Sequence, residues 1–210
     1  MTQPVSAADT ERPRGTLNER RWEEVVAAAA LVFEEQGYPT ATLADIGRRV
    51  GLLKGSLYYY ISSKEDLLFE ILQRGYALGL ALIEEPAGVA GAEPPVRLAE
   101  FIRRWTEGVL DAAPRMHFVE RDVQHLGPER RAVIQAMRER IHGFAVDIVG
   151  DGIERGFFDS SVDPGVVANN LFNVLNTTGR WYRGTGPLAR EEIIAWYTKL
   201  FLRGVGYAAG

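Results

Sequence analysis

Cysteine is missing altogether from this 210-residue chain. That excludes disulfides, thiolate metal sites and a cysteine nucleophile, and it fits a reducing cytoplasm. Histidine is scarce, with His117, His125 and His142 the whole supply. His117 and Glu120 stand at i, i+3, a spacing that helical di-metal proteins use, but no second motif pairs with them. No metal site is expected. Phosphate-cradling loops, Gly-x-Ser-x-Gly elbows and dinucleotide fingerprints are also lacking, and the glycines end helical patterns rather than follow strands. The chain is therefore read as a non-enzyme with no catalytic residue and no cofactor. No apolar run approaches the roughly 20 residues of a membrane span, so no membrane partner is expected. The opening stretch MTQPVSAADTERPRGT has no apolar centre, which argues against a secretory signal. Residues 1–17 are read as a flexible tail.

What is present is helical pattern. The apolar share, 46%, is that of a globular chain and argues against disorder. Trp22, Val25, Val26, Ala29 and Phe33 fall on one helical face, stopped by Gly37. Thr42 and Asp45 open a second, short helix that Gly51 ends. LLKGSLYYY, residues 52–60, forms a third, and Ser62 or Ser63 caps a fourth from near Lys64. A Pro/Gly/Ala connector over 84–95 breaks the pattern. Leu98, Phe101, Ile102, Trp105 and Val109 make the next stripe, followed by a helix opened by Pro114. A long helix from Glu129 to about Arg155 follows, then one begun by Asp163-Pro164 and a last one over 189–205. No strand alternation and no internal repeat occurs. The expected fold is all-α with about nine helices, divided into a small N-terminal domain over 18–63 and a larger domain over 64–210.

The net charge is −4, but it is unevenly spread. Residues 12–64 hold 8 Lys+Arg against 6 Asp+Glu, while 65–210 hold 16 against 20, the remaining −2 being Asp9 and Glu11. The sign change points to different partners for the two parts. The informative stretch is GLLKGSLYYYISSKEDLL, residues 51–68. With Leu57 and Ile61 turned to the core, about 100° per residue places Gly55 and Tyr59 opposite them, flanked by Ser56 and Tyr58. Such a surface suits the DNA major groove. A glycine lets the backbone approach, phenols reach phosphates or thymine methyls, Lys54 and Lys64 add positive charge, and short-helix N-termini offer N–H groups to phosphates. Two short helices joined by a glycine turn make a helix-turn-helix. The alternative is that Tyr58–Tyr60 pack beneath the second block, as in a helical protein-interaction module without DNA binding.

The segment TLADIGRRVGLLKGSLYYYISSKEDLLFEIL resembles the DNA-binding segment of the TetR family of bacterial transcriptional repressors, the match running from about Arg20 to Leu72. The resemblance implies an all-helical homodimer with N-terminal DNA-reading helices and a C-terminal bundle holding a small effector that releases a palindromic operator. It implies phosphate contacts for Thr42, Tyr58, Tyr59 and Lys64, and base or backbone contacts for Lys54, Gly55, Ser56 and Tyr60. It places the protein in the bacterial cytoplasm, associated with the nucleoid. One departure stands out. The position of Leu53 is commonly a small polar residue that caps the helix or contacts DNA, and leucine is expected to do neither.

In the second block, NVLNTTGRWYRGTGPLAREEIIAWYTKLFLRGV is similar to the closing helices of TetR-type repressors of fatty-acid and sterol-type catabolism, which respond to acyl-CoA thioesters. A multidrug or lipophilic-compound sensor is the alternative. Candidates for an apolar tunnel are Phe101, Trp105, Met116, Val119 and Phe172. Asn173 belongs to a polar stripe with Asn169 and Asn176. Arg180 and Arg183, beside Trp181 and Tyr182, are candidates for phosphates and an adenine. The last helix is apolar on more than one side, so Ile193, Trp196, Tyr197, Leu200 and Phe201 are assigned to a symmetric dimer interface.

Overall fold

Phe33, Ile46, Leu57 and Leu68, from four different helices, are all fully buried in one cluster. In the computed structural model, which describes residues 16–84, 91–112, 122–182 and 184–207, that cluster is the first of two cores. Among the described residues there are eight α-helices, one 3-10 turn at Val123–His125, and no strand. The helices are α1 (Thr16–Gln36), α2 (Leu43–Val50), α3 (Lys54–Leu57), α4 (Lys64–Glu84), α5 (Pro94–Ala112), α6 (Pro128–Glu154), α7 (Pro164–Trp181) and α8 (Arg190–Gly204). The helix expected from Pro114, with Met116 and Val119, lies outside the described residues, as do Arg183, most of the N-terminal tail and the Lys54 side chain. No helix of the described residues is long and apolar enough to cross a membrane.

Local chemistry sets the boundaries. Gly37, at φ 78°, turns the chain out of α1, and its N–H reaches the Phe33 carbonyl at 2.9 Å. Thr42 caps α2 through a capping box with Asp45. Gly51 ends α2 in the left-handed conformation, φ 67°, which side chains resist and glycine adopts freely. Arg21 covers the same end by donating to the Val50 carbonyl at 3.0 Å. Asp163 caps α7 by accepting from the Val166 N–H at 2.8 Å, with Pro164 in the first turn.

The first core gathers α1, α2, α3 and the N-terminal half of α4, through Leu67, Leu68, Ile71 and Leu72. Leu126 and Ile134 join it from around the start of α6, so packing runs across the boundary expected between 63 and 64. The second core gathers α5, the rest of α6, α7 and α8 around Leu98, Ile102, Ile148, Leu171 and Leu175. At about 1.5 Å per residue, the 27 residues of α6 span roughly 40 Å. One rigid helix thus belongs to both cores. Each fully buried Leu, Ile or Phe contributes on the order of 1.5–3 kcal/mol, so the two cores are held to α6 by many such groups.

The last helix corrects part of the dimer assignment. Ile193 and Phe201 are buried inside their own protomer, and Tyr197 is half-buried, its hydroxyl 2.8 Å from that of Thr178. Ile193 and Phe201 are covered by their own chain, where the last helix packs against α5, and Tyr197 reaches α7 through Thr178. Trp196 and Leu200, one turn apart, are 61% and 57% exposed and remain as the outward stripe.

Candidate nucleic-acid interface and effector region

The third helix is shorter than its sequence pattern: one turn, Lys54–Leu57, after which Tyr58 caps it. The chain then tightens, with the Tyr60 N–H donating to the Leu57 carbonyl at 2.8 Å and the Ile61 N–H to the same oxygen at 3.1 Å. This winding keeps Leu57 and Ile61 inward and fully packed. It leaves Gly55, Ser56, Tyr58 and Tyr59 at the surface, Tyr59 being 64% exposed. Tyr60 is half-buried against the first core, its ring edge-on to Tyr59 at 5.3 Å. A methyl added to Gly55 would meet nothing within 4 Å. The phenols of Tyr58 and Tyr59 are therefore on an outer face, not beneath the second block.

Two nominated contacts have other work. Thr42 is exposed, but its hydroxyl donates to Asp45 Oδ2 at 2.6 Å while accepting from the Asp45 N–H at 3.2 Å. The Thr42 hydroxyl and the Thr42 N–H, both donating to Oδ2, hold the Asp45 carboxyl below its usual range, so a negative charge sits at the start of α2. Lys64 is held more firmly still. Its Nζ donates to the carbonyls of Tyr38 at 2.7 Å and Ala41 at 2.9 Å, and lies 4.3 Å from the Tyr38 ring centroid. Burial draws its pKa down. These contacts with carbonyls of the α1–α2 loop tie that loop to α4.

Next to this lies a junction that no sequence pattern announced. Asp66 Oδ2 accepts from the N–H groups of Ser62 at 2.6 Å and Ser63 at 2.9 Å, closing the turn that follows the tyrosines. Its Oδ1 accepts from Arg130 of α6 at 2.6 Å. Glu65 accepts from the Gly127 N–H at 2.9 Å. Tyr38 stacks on His125, ring centroids 5.2 Å apart. Burial pushes the Asp66 carboxyl up, but the Arg130 guanidinium and the two serine N–H groups outweigh it and hold the pKa below the ordinary 3.8. This contribution is complete above that value and is lost as pH falls through the lowered one. The reading surface and α6 thus share one ionised carboxylate.

Of the effector candidates, Phe101, Trp105 and Phe172 come together. Trp105 and Phe172 meet edge to face at 4.9 Å, and Phe101 lies 5.5 Å and 5.8 Å from them. Phe144 joins Phe101 at 5.7 Å and His142 lies 6.1 Å from Phe172. Polar groups border the cluster: Trp105 Nε1 donates to Asn176 Oδ1 at 2.8 Å, and His142 Nε2 is 3.1 Å from Asn169 Oδ1. The asparagine stripe is thereby divided, since Asn173 faces outward. Arg180 stands one turn beyond Asn176, and Trp181 is exposed at the end of α7. Among the described residues no cluster of metal-binding side chains occurs.

Comparison with known proteins bears on both regions. A family model for bacterial regulatory proteins of the tetR family matches residues 25–71. A second, for the tetracyclin repressor-like C-terminal domain, matches residues 91–205. The HTH-type transcriptional repressor KstR2 of Mycobacterium tuberculosis is 29% identical over 93% of this chain and 97% of its own. The structure of that ketosteroid transcriptional regulator superposes with a TM-score of 0.73, at 28% identity, covering 92% of this chain and 98% of the other. PfmR, a TetR family transcriptional regulator from Thermus thermophilus, has a TM-score of 0.69 at 30% identity, covering 85% of this chain and 97% of the other. AibR, solved with isovaleryl coenzyme A and operator DNA, shares the fold with a TM-score of 0.74 at 23% identity, covering 86% and 97%. Since the helix-turn-helix and more than half of the chain beyond it are both matched, this chain belongs to the TetR family of bacterial transcriptional regulators.

Proposed function

We propose that this regulator is a cytoplasmic repressor, acting as a homodimer on a palindromic operator and released by an acyl-CoA thioester. The observation that carries the DNA part is the outward face of Gly55, Ser56, Tyr58 and Tyr59 on a helix-turn-helix whose α2 is capped at both ends. Pairing through Trp196 and Leu200 would set two such faces about a two-fold axis, as a palindrome requires. The protein uses no cofactor beyond the effector. The effector reading is supported by the aromatic cluster of Phe101, Trp105 and Phe172, with Asn176 and His142 at its border, and by Arg180 one turn further along α7. It is supported also by KstR2, a ketosteroid regulator, and by AibR, which was solved with an acyl-CoA and operator DNA. An effector seated beside α6 acts on DNA through the Arg130–Asp66 contact, because that contact joins α6 to the turn after the tyrosines.

Fluorescence anisotropy on a duplex selected by the full-length protein tests this. Branched-chain, long-chain and ring-bearing acyl-CoAs are expected to raise the operator Kd by about 5- to 150-fold, and the free acids, CoA alone and bulky amines to leave it unchanged. Arg130→Ala is expected to keep acyl-CoA binding by calorimetry while its operator Kd responds several-fold less. Release by amines alone would remove the CoA reading and favour a lipophilic-compound sensor.

A further inference from the structure

Leu53 is the most exposed large hydrophobic side chain among the described residues, at 81%. Its neighbour Leu52 packs against the first core, so the Leu52–Leu53 pair divides into one inward and one outward leucine. Nothing local asks for a leucine at the second position. The backbone is ordinary extended chain, φ −70° and ψ 150°. The residue is the N-cap of α3, where serine, threonine or aspartate is favoured because a side-chain oxygen can accept from the helix N–H groups, and no side-chain cap is made here. The position therefore forgoes a hydrogen bond and holds an isobutyl group in water. The second penalty is recovered when an apolar surface covers the side chain.

That surface is specified by position. Leu53 precedes the turn that presents Gly55 and Ser56, and Ser56, whose N–H donates to the Leu53 carbonyl at 2.9 Å, is exposed one turn along. Tyr58 and Tyr59, 47% and 64% exposed, continue the same outer region. Resting on the reading of this region as the DNA face, we propose that Leu53 is a specificity-determining residue that recognises a thymine in each operator half-site by its C5-methyl group. In the major groove, that methyl is the one apolar feature by which a base pair is told from the others, and an aliphatic side chain has no other base to read. This reverses the expectation that leucine at this position has no part in DNA contact: it cannot cap, but it can discriminate.

The test uses the full-length protein and a duplex it selects from a random library. Each thymine is replaced in turn by uracil, which removes the C5-methyl and nothing else. Wild type is expected to lose about fourfold in affinity per half-site at one symmetric position and little elsewhere, the worth of one buried methyl. Leu53→Ala is expected to bind the thymine and uracil duplexes equally at that position, and Leu53→Ser to do the same while melting at or above the wild-type temperature. Equal wild-type affinity for thymine and uracil at every position overturns the proposal. So does retained discrimination in Leu53→Ala; if Tyr58→Ala abolishes it instead, a phenol reads the methyl. A protein that selects no duplex overturns the DNA reading and this proposal with it, whereas a selected duplex indifferent to Leu53 overturns this proposal alone.

Discussion

A Gly55→Glu variant is expected to fold as stably as the wild type and to bind its operator at least 100-fold more weakly. The first half follows from space: a Cβ at residue 55 would meet nothing within 4 Å, and the residue is exposed. Glycine in a helix is about 0.5–1 kcal/mol less stable than alanine, so glycine here is not retained for stability. Its use is to leave room. A carboxylate in that room faces DNA phosphates, and juxtaposed like charges cost several kcal/mol. Gly55→Ala separates bulk from charge, and it is expected to melt slightly higher while losing affinity through bulk alone. Thermal melting and anisotropy on the selected duplex decide. Undiminished binding by Gly55→Glu places the DNA elsewhere.

The largest loss of stability is expected at Gly152. Near the end of α6 the chain turns back, and the Phe158 ring lies where a Cβ of residue 152 would be, its nearest carbon 2.0 Å from that point. Phe158 is buried, and its N–H donates to the Gly152 carbonyl at 3.0 Å, so the ring has little freedom to retreat. Overpacking of a buried site costs typically 1–3 kcal/mol, and a branched side chain here belongs at or above the upper end. Gly152→Val is expected to lower Tm by roughly 6–12 °C, given about 2–4 °C per kcal/mol at this chain length. Adding Phe158→Ala creates the missing space, so the double variant is expected to be more stable than the sum of the two single changes predicts. Strict additivity would show that the ring does not limit residue 152.

The sequence made legible what periodicity and capping control. The stripe from Trp22 to Phe33, the inward Leu57 and Ile61, the Thr42–Asp45 start of α2 and the Asp163-Pro164 start of α7 all depend on residues within a few positions of one another. The buried stripe of α5, from Leu98 to Val109, was legible for the same reason. The tight-turn end of α3 at Leu57 was not, because i+3 and i+4 bonds differ too little in pattern. Neither was the division of α8. Ile193 and Trp196 are both large and apolar, and the position of α5 decides which of them is covered. Lys64 carries the same charge whether it meets phosphate or loop carbonyls, and the cage that captures it comes from residues 38 to 41. The contact that joins the reading surface to α6, Asp66 to Arg130, and the one that borders the aromatic cluster, Trp105 to Asn176, link distant positions. No local signal encodes such pairs.

The lack of cysteine makes the decisive measurement straightforward. Ser56→Cys introduces the chain's sole thiol on the outer face of α3, and Ser160→Cys does so beyond the C-terminal end of α6, a helix roughly 40 Å long whose other end meets the turn after the tyrosines. Each is coupled to an iron chelate that cuts DNA within reach, and the complex with the selected duplex is activated. Chelate at residue 56 is expected to cut in two symmetric clusters, separated by about one helical turn, 34–36 Å, or a multiple of it, and chelate at residue 160 to cut nowhere. Cutting from residue 160, or an intact duplex under a bound protein labelled at residue 56, contradicts the assignment of this surface to the major groove.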